Sequence, residues 1–314
     1  MSKHDSREYA SSIKQKTMLY RQKFLLALIE LNGGAMHATR LQKYSFECAQ
    51  HSSNDIYHFV PFTYGCYSFC LAAELRTLTR RGYLEELVDE RHHTWRLTNG
   101  SKPMEGITPE DRLLAVNVSA RLSKLSSDDL LRYIYTTYPY YATRSRVAGN
   151  ILSDKQLRVI ETMRPKDCGK LLATVGYEGR SLDEFLDTLL RHNIHALVDI
   201  RRNAFSMKRG FSKGQLRNAC EELGIAYVHM PDLGVASKER KHLETADDYR
   251  RLFMNYRRAL MKQAAVLEPV EKLLAQYTRI ALMCFEKDPA FCHRSSCVKV
   301  YRAMHPDGYD MGDI

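Results

Sequence analysis

The stretch Met283-Cys-Phe-Glu-Lys-Asp-Pro-Ala-Phe-Cys-His-Arg-Ser-Ser-Cys297 decides how the second half of the chain is read, because thiol, carboxyl, imidazole and guanidinium groups crowd into one short turn. Just before it, Ile280 to Cys284 is continuously apolar without alternation, the pattern of a strand covered on both faces of a parallel sheet. Asp288-Pro289 then redirects the chain, since proline cannot lengthen a strand and biases the residue before it away from helix. The spacing of Val298, Tyr301 and Arg302 predicts a helix after Cys292. Cys292, His293 and Arg294 then fall at its N-terminus, where free backbone N–H groups and the macrodipole favour anions. Ligands of open α/β sheets bind outside the carboxyl ends of strands, so this turn is expected to floor a site.

Working back along the chain, the apolar runs Leu171–Val175, Ala196–Ile200 and Ile225–His229 predict three more strands. Helices are expected between them, over 182–190 with Ser181 as cap, over 212–223, and as one long helix around 248–276. Strand alternating with helix implies a parallel sheet, because parallel strands need crossover connections. Four strands make a small sheet, so either further elements or the first domain are expected to cover an edge.

Each strand runs into unusual residues. After the first, Gly176 and Gly179 flank Tyr177 and Glu178 and permit close backbone approach to a ligand; the loop matches neither nucleotide-binding glycine pattern, so no nucleotide cofactor is expected. The second ends in Asp199-Ile-Arg-Arg202. A carboxylate beside two guanidiniums is held ionised, as a general base or a stabiliser of positive charge must be; the alternative is an Asp–Arg pair that only fixes the loop. From Arg201 to Arg217 there are six basic residues, Arg201, Arg202, Lys208, Arg209, Lys213 and Arg217, no acid, and Phe205 and Phe211 among them. Such a loop suits a nucleic-acid backbone with stacked or extruded bases. The third strand delivers His229, read as a structural histidine. On the opening stretch Glu286 can act as acid or base, His293 as proton shuttle and Arg294 as an anion clamp. Cys284, Cys292, His293 and Cys297 invite a metal reading. It is set aside because adjacent Cys292 and His293 are awkward ligands for one tetrahedron and no C-x-x-C pair exists. Cys292, at a helix start, is either a reactive thiolate or a thiol packed under the turn.

The N-terminal part has a different pattern. Residues 21–31 carry a helical period ending at Asn32-Gly33-Gly34, a second helix is expected from Thr39 as cap, and a third from Ser68 to Gly82. Tyr83–Val88 and Thr94–Leu97 around a charged turn predict a two-stranded wing. Three helices and a hairpin in this order imply a winged helix-turn-helix, with Arg76, Arg80 and Arg81 on the third helix and Arg91, His92 and His93 in the wing meeting DNA; a solvated face of a protein-contact module is the alternative. Ile56–Gly65, with the Gly82-Tyr-Leu edge, resembles the N-terminal part of certain phage- and toxin-associated winged-helix proteins. Residues 106–168 are read as a helical connector in which Tyr138-Pro-Tyr-Tyr141 either stacks bases or bridges two domains.

The expected architecture is thus a winged-helix domain over 1–105, the connector, and a small parallel-sheet α/β domain over 169–314. The 314 residues suffice for two cores, and the net charge of +10 points to a polyanionic partner. No apolar run reaches the roughly 18 residues of a membrane span and the first twenty residues carry no apolar core of a signal peptide. With eight scattered cysteines, the reading is a cytoplasmic protein with free thiols and no membrane partner.

Together, Thr174-Val-Gly-Tyr-Glu-Gly-Arg-Ser-Leu-Asp-Glu-Phe185, Leu197-Val-Asp-Ile-Arg-Arg-Asn-Ala-Phe-Ser206 and Cys284-Phe-Glu-Lys-Asp-Pro-Ala-Phe-Cys-His-Arg294 resemble the family known as domain of unknown function 488, over about residues 171–305. Members carry His or a small residue where Tyr177 and Glu178 stand. The resemblance implies a compact α/β fold with Asp199, Arg201, Glu286, Cys292, His293 and Arg294 around one pocket, and implies no settled reaction.

The function expected is a DNA-processing enzyme, a glycosylase hydrolysing the N-glycosidic bond of a modified, phage-type base extruded from double-stranded DNA. Asp199, Glu286 and His293 are its expected catalytic groups. Arg201, Arg202, Lys208, Arg209, Lys213, Arg294, Gly176, Tyr177, Arg76, Arg80 and Arg81 are its expected DNA contacts, with neither metal nor cofactor. The rivals are a DNA-binding regulator that senses a small anion and a metal-dependent nuclease.

Overall fold

The computed structural model describes residues 18–89, 93–98, 106–166, 169–236, 239, 243–306 and 309–314. Arg91 and His92, expected in the wing turn, lie outside them. The chain divides into two compact units, Met1–Arg164 and Pro165–Ile314.

In the first unit, α1 (Tyr20–Leu31), β1 (Ala35–His37), α2 (Ala38–His51), the hairpin strands β2 (Val60–Phe62) and β3 (Gly65–Tyr67), α3 (Phe69–Arg80), β4 (Leu84–Val88) and β5 (His93–Leu97) follow in order. β5 lies between β1 and β4 in an antiparallel three-stranded sheet, and β2–β3 is a separate hairpin between the second and third helices. Ser68 caps α3 by accepting from the Leu71 N–H at 3.1 Å. α2 starts two residues earlier than the Thr39 cap implies, with His37 in the cap position.

Residues 109–162 form α4 (Pro109–Leu122), α5 (Ser127–Thr137), α6 (Ala148–Ile151) and α7 (Asp154–Thr162). They do not stand apart as a connector. Ala115, Val118, Leu122, Leu130 and Ile134 share one core with Phe24, Leu28, Leu41 and Phe46. Glu47, fully buried on α2, accepts hydrogen bonds from Arg121 of α4 and, at 2.6 Å, from Tyr133 of α5. A buried carboxylate left alone costs several kcal/mol, so these partners bind the helices together. The aromatic cluster is part of the same core: the rings of Tyr138 and Tyr141 meet Phe46 edge-on at 4.9 and 4.6 Å. They are thus packed inside the first unit.

The second unit is a five-stranded, all-parallel sheet in the order β10-β6-β9-β7-β8, formed by β6 (Leu171–Gly176), β7 (Ala196–Asp199), β8 (Ala226–His229), β9 (Arg279–Cys284) and β10 (Asp310–Asp313). The edge-covering element expected beyond the first four strands is β10. Its helices are α8 (Leu182–Arg191), α9 (Lys213–Glu222), α10 (Ala246–Lys262), α11 (Glu268–Tyr277) and α12 (His293–Met304). The single helix expected around 248–276 is two, because Gln263 leaves helical geometry (φ −119°, ψ 52°) and Pro269 sits in the first turn of α11. Every residue of β9 is buried, Ile280–Cys284 as an unbroken apolar run requires and Arg279 with its guanidinium donating to the Gly169 and His192 carbonyls, both at 2.9 Å. β9 enters the sheet between β6 and β7, pairing Gly176 with Cys284 on one side and Asp199 with Met283 on the other. The strands therefore end level with one another, which sets their loops side by side. Among the described residues no helix is long and apolar enough to cross a membrane.

Candidate active site

Three loops meet at the carboxyl ends of β6, β9 and β7, and Tyr177 is the bolt between them. Its backbone N–H and that of Glu178 donate to the Phe285 carbonyl at 3.2 and 2.9 Å, joining the β6 loop to the turn after β9. Its ring stacks on Phe211 at 4.3 Å and meets Phe285 edge-on at 5.3 Å. Its hydroxyl accepts from Arg201 Nη1 at 2.8 Å, and Lys208 Nζ donates to its carbonyl at 3.0 Å. Buried and fully engaged, Tyr177 positions the basic loop and is not itself a surface for DNA. Gly176 has a similar task. A Cβ there would stand 2.0 Å from the Glu286 carbonyl oxygen, so glycine is needed for the turn to approach, not for a ligand.

Asp199 is fully buried, and its carboxylate is saturated. Oδ1 accepts from Arg201 N–H (3.1 Å) and Nε (2.8 Å), and Oδ2 from Arg201 Nη2 (2.6 Å) and the Tyr227 hydroxyl (2.5 Å). The carboxylate in turn, after burial itself, holds the Tyr227 phenol far above its ordinary value. With two-pronged arginine binding and a phenol on the remaining lone pairs, no lone pair is left to take a proton from water. The expected general base is therefore a loop-fixing ion pair, and Arg201, spent on it and on Tyr177, is not a phosphate contact.

Arg294 is likewise corrected. Its side chain is fully buried; Nη1 donates to the Glu286 carbonyl, Nη2 to that of Lys287 at 2.9 Å, and Nε to Asp313 Oδ1 at 3.2 Å. It clamps the turn to strand β10 and cannot reach an external anion. Sequence reasoning missed Asp313 because Asp310-Met-Gly-Asp carries no strand-like pattern.

What remains for chemistry lies around Cys284. Its Sγ is 3.0 Å from Glu286 Oε2, 3.7 Å from His293 Nδ1, and the Cys292 sulfur is 3.9 Å from the same nitrogen. His293 is buried, with Nε2 3.3 Å from the Ile200 carbonyl and the Tyr256 ring edge-on at 5.7 Å. That burial removes it as a proton shuttle to solvent. The Cys284 thiol is held well below its ordinary value, first by hydrogen bonding from Cys292, then by His293 and Glu286, against the burial that opposes ionisation. Burial, and then the Cys284 charge, pushes the Glu286 carboxyl up. Cys292 is raised, chiefly by burial. Of the two readings of Cys292, the packed thiol is the one this environment favours, and the thiol whose ionisation is favoured is that of Cys284. Glu286, the carboxyl beside these thiols, is half-buried.

The basic loop shows its cations and two apolar side chains to solvent. Arg202, Arg209, Lys213 and Arg217 are exposed, and Phe205 and Met207 are 67% and 91% exposed. Arg202 pairs with Asp232 at 3.0 Å, and Lys213 Nζ lies 3.2 Å from His229 Nδ1, whose Nε2 is 2.9 Å from the Arg201 carbonyl. In the first unit Arg76 and Arg80 are exposed on α3, while Arg81 ends that helix, donates to Gln22 at 3.3 Å and covers the Tyr83 ring. Arg76 also lines a cavity of about 340 Å³ with Lys43, Tyr64, Tyr67, Glu86 and Trp95.

Sheet order and site together define a small parallel α/β domain whose reactive groups cluster at the carboxyl edge of the central strands. Residues 181–301, within this second unit, match the family described as "Domain of unknown function DUF488". No curated protein matches the chain.

Proposed function

We propose that the protein is a DNA glycosylase that hydrolyses the N-glycosidic bond of a modified base, with Glu286 as the acid–base group. The observation that supports this reading is the bolt at Tyr177. It fastens the turn bearing half-buried Glu286 to a loop whose exposed face combines four cations with Phe205 and Met207. Cations that neutralise phosphates, apolar side chains that enter an opened base step, and a carboxyl beside them are the parts that chemistry on an extruded nucleotide requires. Arg202, Arg209, Lys213 and Arg217 hold the backbone, Phe205 and Met207 fill the gap in the stack, and Glu286 protonates the leaving base or directs water at the sugar. The first unit, read as a winged helix with a hairpin between its second and third helices, presents Arg76 and Arg80 to the duplex.

The experiment is to incubate the protein with unmodified and base-modified duplexes, with and without chelator, followed by alkali. Alkali-labile sites in modified DNA, lost by about 10²–10⁴-fold in Glu286→Gln, are expected. Breaks that need divalent metal and no alkali would make it a nuclease. Retarded DNA without any product would leave the regulator.

A further inference from the structure

We infer that Cys284, Cys292 and His293 form a binding site for a zinc ion, tying the end of β9 to the start of α12. The ligand atoms Cys284 Sγ, Cys292 Sγ and His293 Nδ1 are all buried and all within 4.8 Å of one another. Both sulfurs stand 3.7 and 3.9 Å from Nδ1. Two ligands about 2.3 and 2.0 Å from one zinc ion at a tetrahedral angle lie roughly 3.5 Å apart, so the triad is already at metal-ligand spacing.

The objection that neighbouring residues cannot share a tetrahedron fails for a local reason. Cys292 is extended (φ −128°, ψ 141°) and His293 opens the helix, so the chain changes direction between them and both side chains turn to Cys284. The histidine is also oriented as a ligand. A carbonyl can only accept, so the contact of Nε2 with the Ile200 carbonyl at 3.3 Å places the ring proton on Nε2 and points the Nδ1 lone pair at the two sulfurs. Such a second contact on the far nitrogen is how metal-binding imidazoles are fixed. Two thiolates cancel the charge of the ion, each thiol releasing its proton to solvent as the metal enters. Soft sulfur with imidazole selects zinc over the hard oxygen-seeking cations. Three protein ligands leave a fourth position. Glu286, the acid–base group of the proposed reaction, stands beside the triad, with Oε2 3.0 Å from Cys284 Sγ.

This inference stands apart from the glycosylase reading because it is tested without DNA. The full chain is stripped with chelator, dialysed against buffered zinc and assayed for metal, then loaded with cobalt and its absorption recorded. About one zinc per chain is expected, with a thiolate-to-cobalt charge-transfer band and the visible bands of a tetrahedral ion. Cys284→Ser and Cys292→Ser are each expected to lower zinc affinity by at least about tenfold and to weaken that band, whereas Cys220→Ser, in α9 away from the triad, keeps both. A wild-type chain that stays metal-free in zinc and shows no cobalt band would overturn the assignment even if no variant folds. So would zinc retained in the double variant, or a Cys284–Cys292 disulfide as the stable form of the protein in air.

Discussion

Asp199 shows how a side chain can look catalytic and be structural. Its partners were half legible: Arg201 stands two positions away, but Tyr227, which takes a remaining lone pair, comes from the next strand and has no signature in the sequence. Asp199→Asn is expected to destabilise the second unit by about 3–5 kcal/mol, because Arg201 would keep its burial and lose its counter-charge. Denaturant unfolding measures this, and a fully stable variant would mean the pair is not closed as described. Gly176→Ala is expected to cost about 1–3 kcal/mol or more by pushing the Glu286 carbonyl away, visible in the same experiment. The convergence of Cys284 with Cys292 and His293 was hidden for a different reason. Spacing along the chain argues against it, and only the extended backbone of Cys292 permits it.

Among the elements, strands were readable where burial on both faces left an unbroken apolar run, as in β9, and unreadable where it did not, as in polar β10. The 201–217 loop is fixed from beneath by Tyr177, Phe211 and Lys208, which leaves its outer side chains free to change without loss of fold. Phe205→Ser and Met207→Ser are therefore expected to shift unfolding free energy by no more than about 0.5 kcal/mol. Each should weaken DNA binding by about 1–3 kcal/mol in a titration at fixed salt. Equal affinity for the wild type and both variants would remove the loop from the DNA interface. In the first unit, burial pushes the Tyr135 phenol up to about 12. Its folded value lies above the unfolded one near 10, so its stabilising contribution is intact below pH 10 and is lost as the pH rises towards 12. Wild-type stability relative to Tyr135→Phe should fall across that window by about 1.4 kcal/mol per pH unit, as followed by urea titrations at several alkaline pH values.

The two units each own a core, one built from helices and a small antiparallel sheet, the other around the five parallel strands. Fragments 1–164 and 165–314 are accordingly expected to fold alone, each with a cooperative thermal transition by circular dichroism; an unfolded fragment would show that the boundary is misplaced. The place of β9 in the sheet has a kinetic consequence. β6 and β7 follow one another in the chain, yet they cannot pair, since the strand that separates them arrives about eighty residues later than β7. Until it docks, both neighbours present bare amide edges and the sheet is two open halves. Assembly of this unit should be slow and sensitive to crowding by its own copies, and a polypeptide cut before Arg279 should precipitate where the intact one stays dispersed.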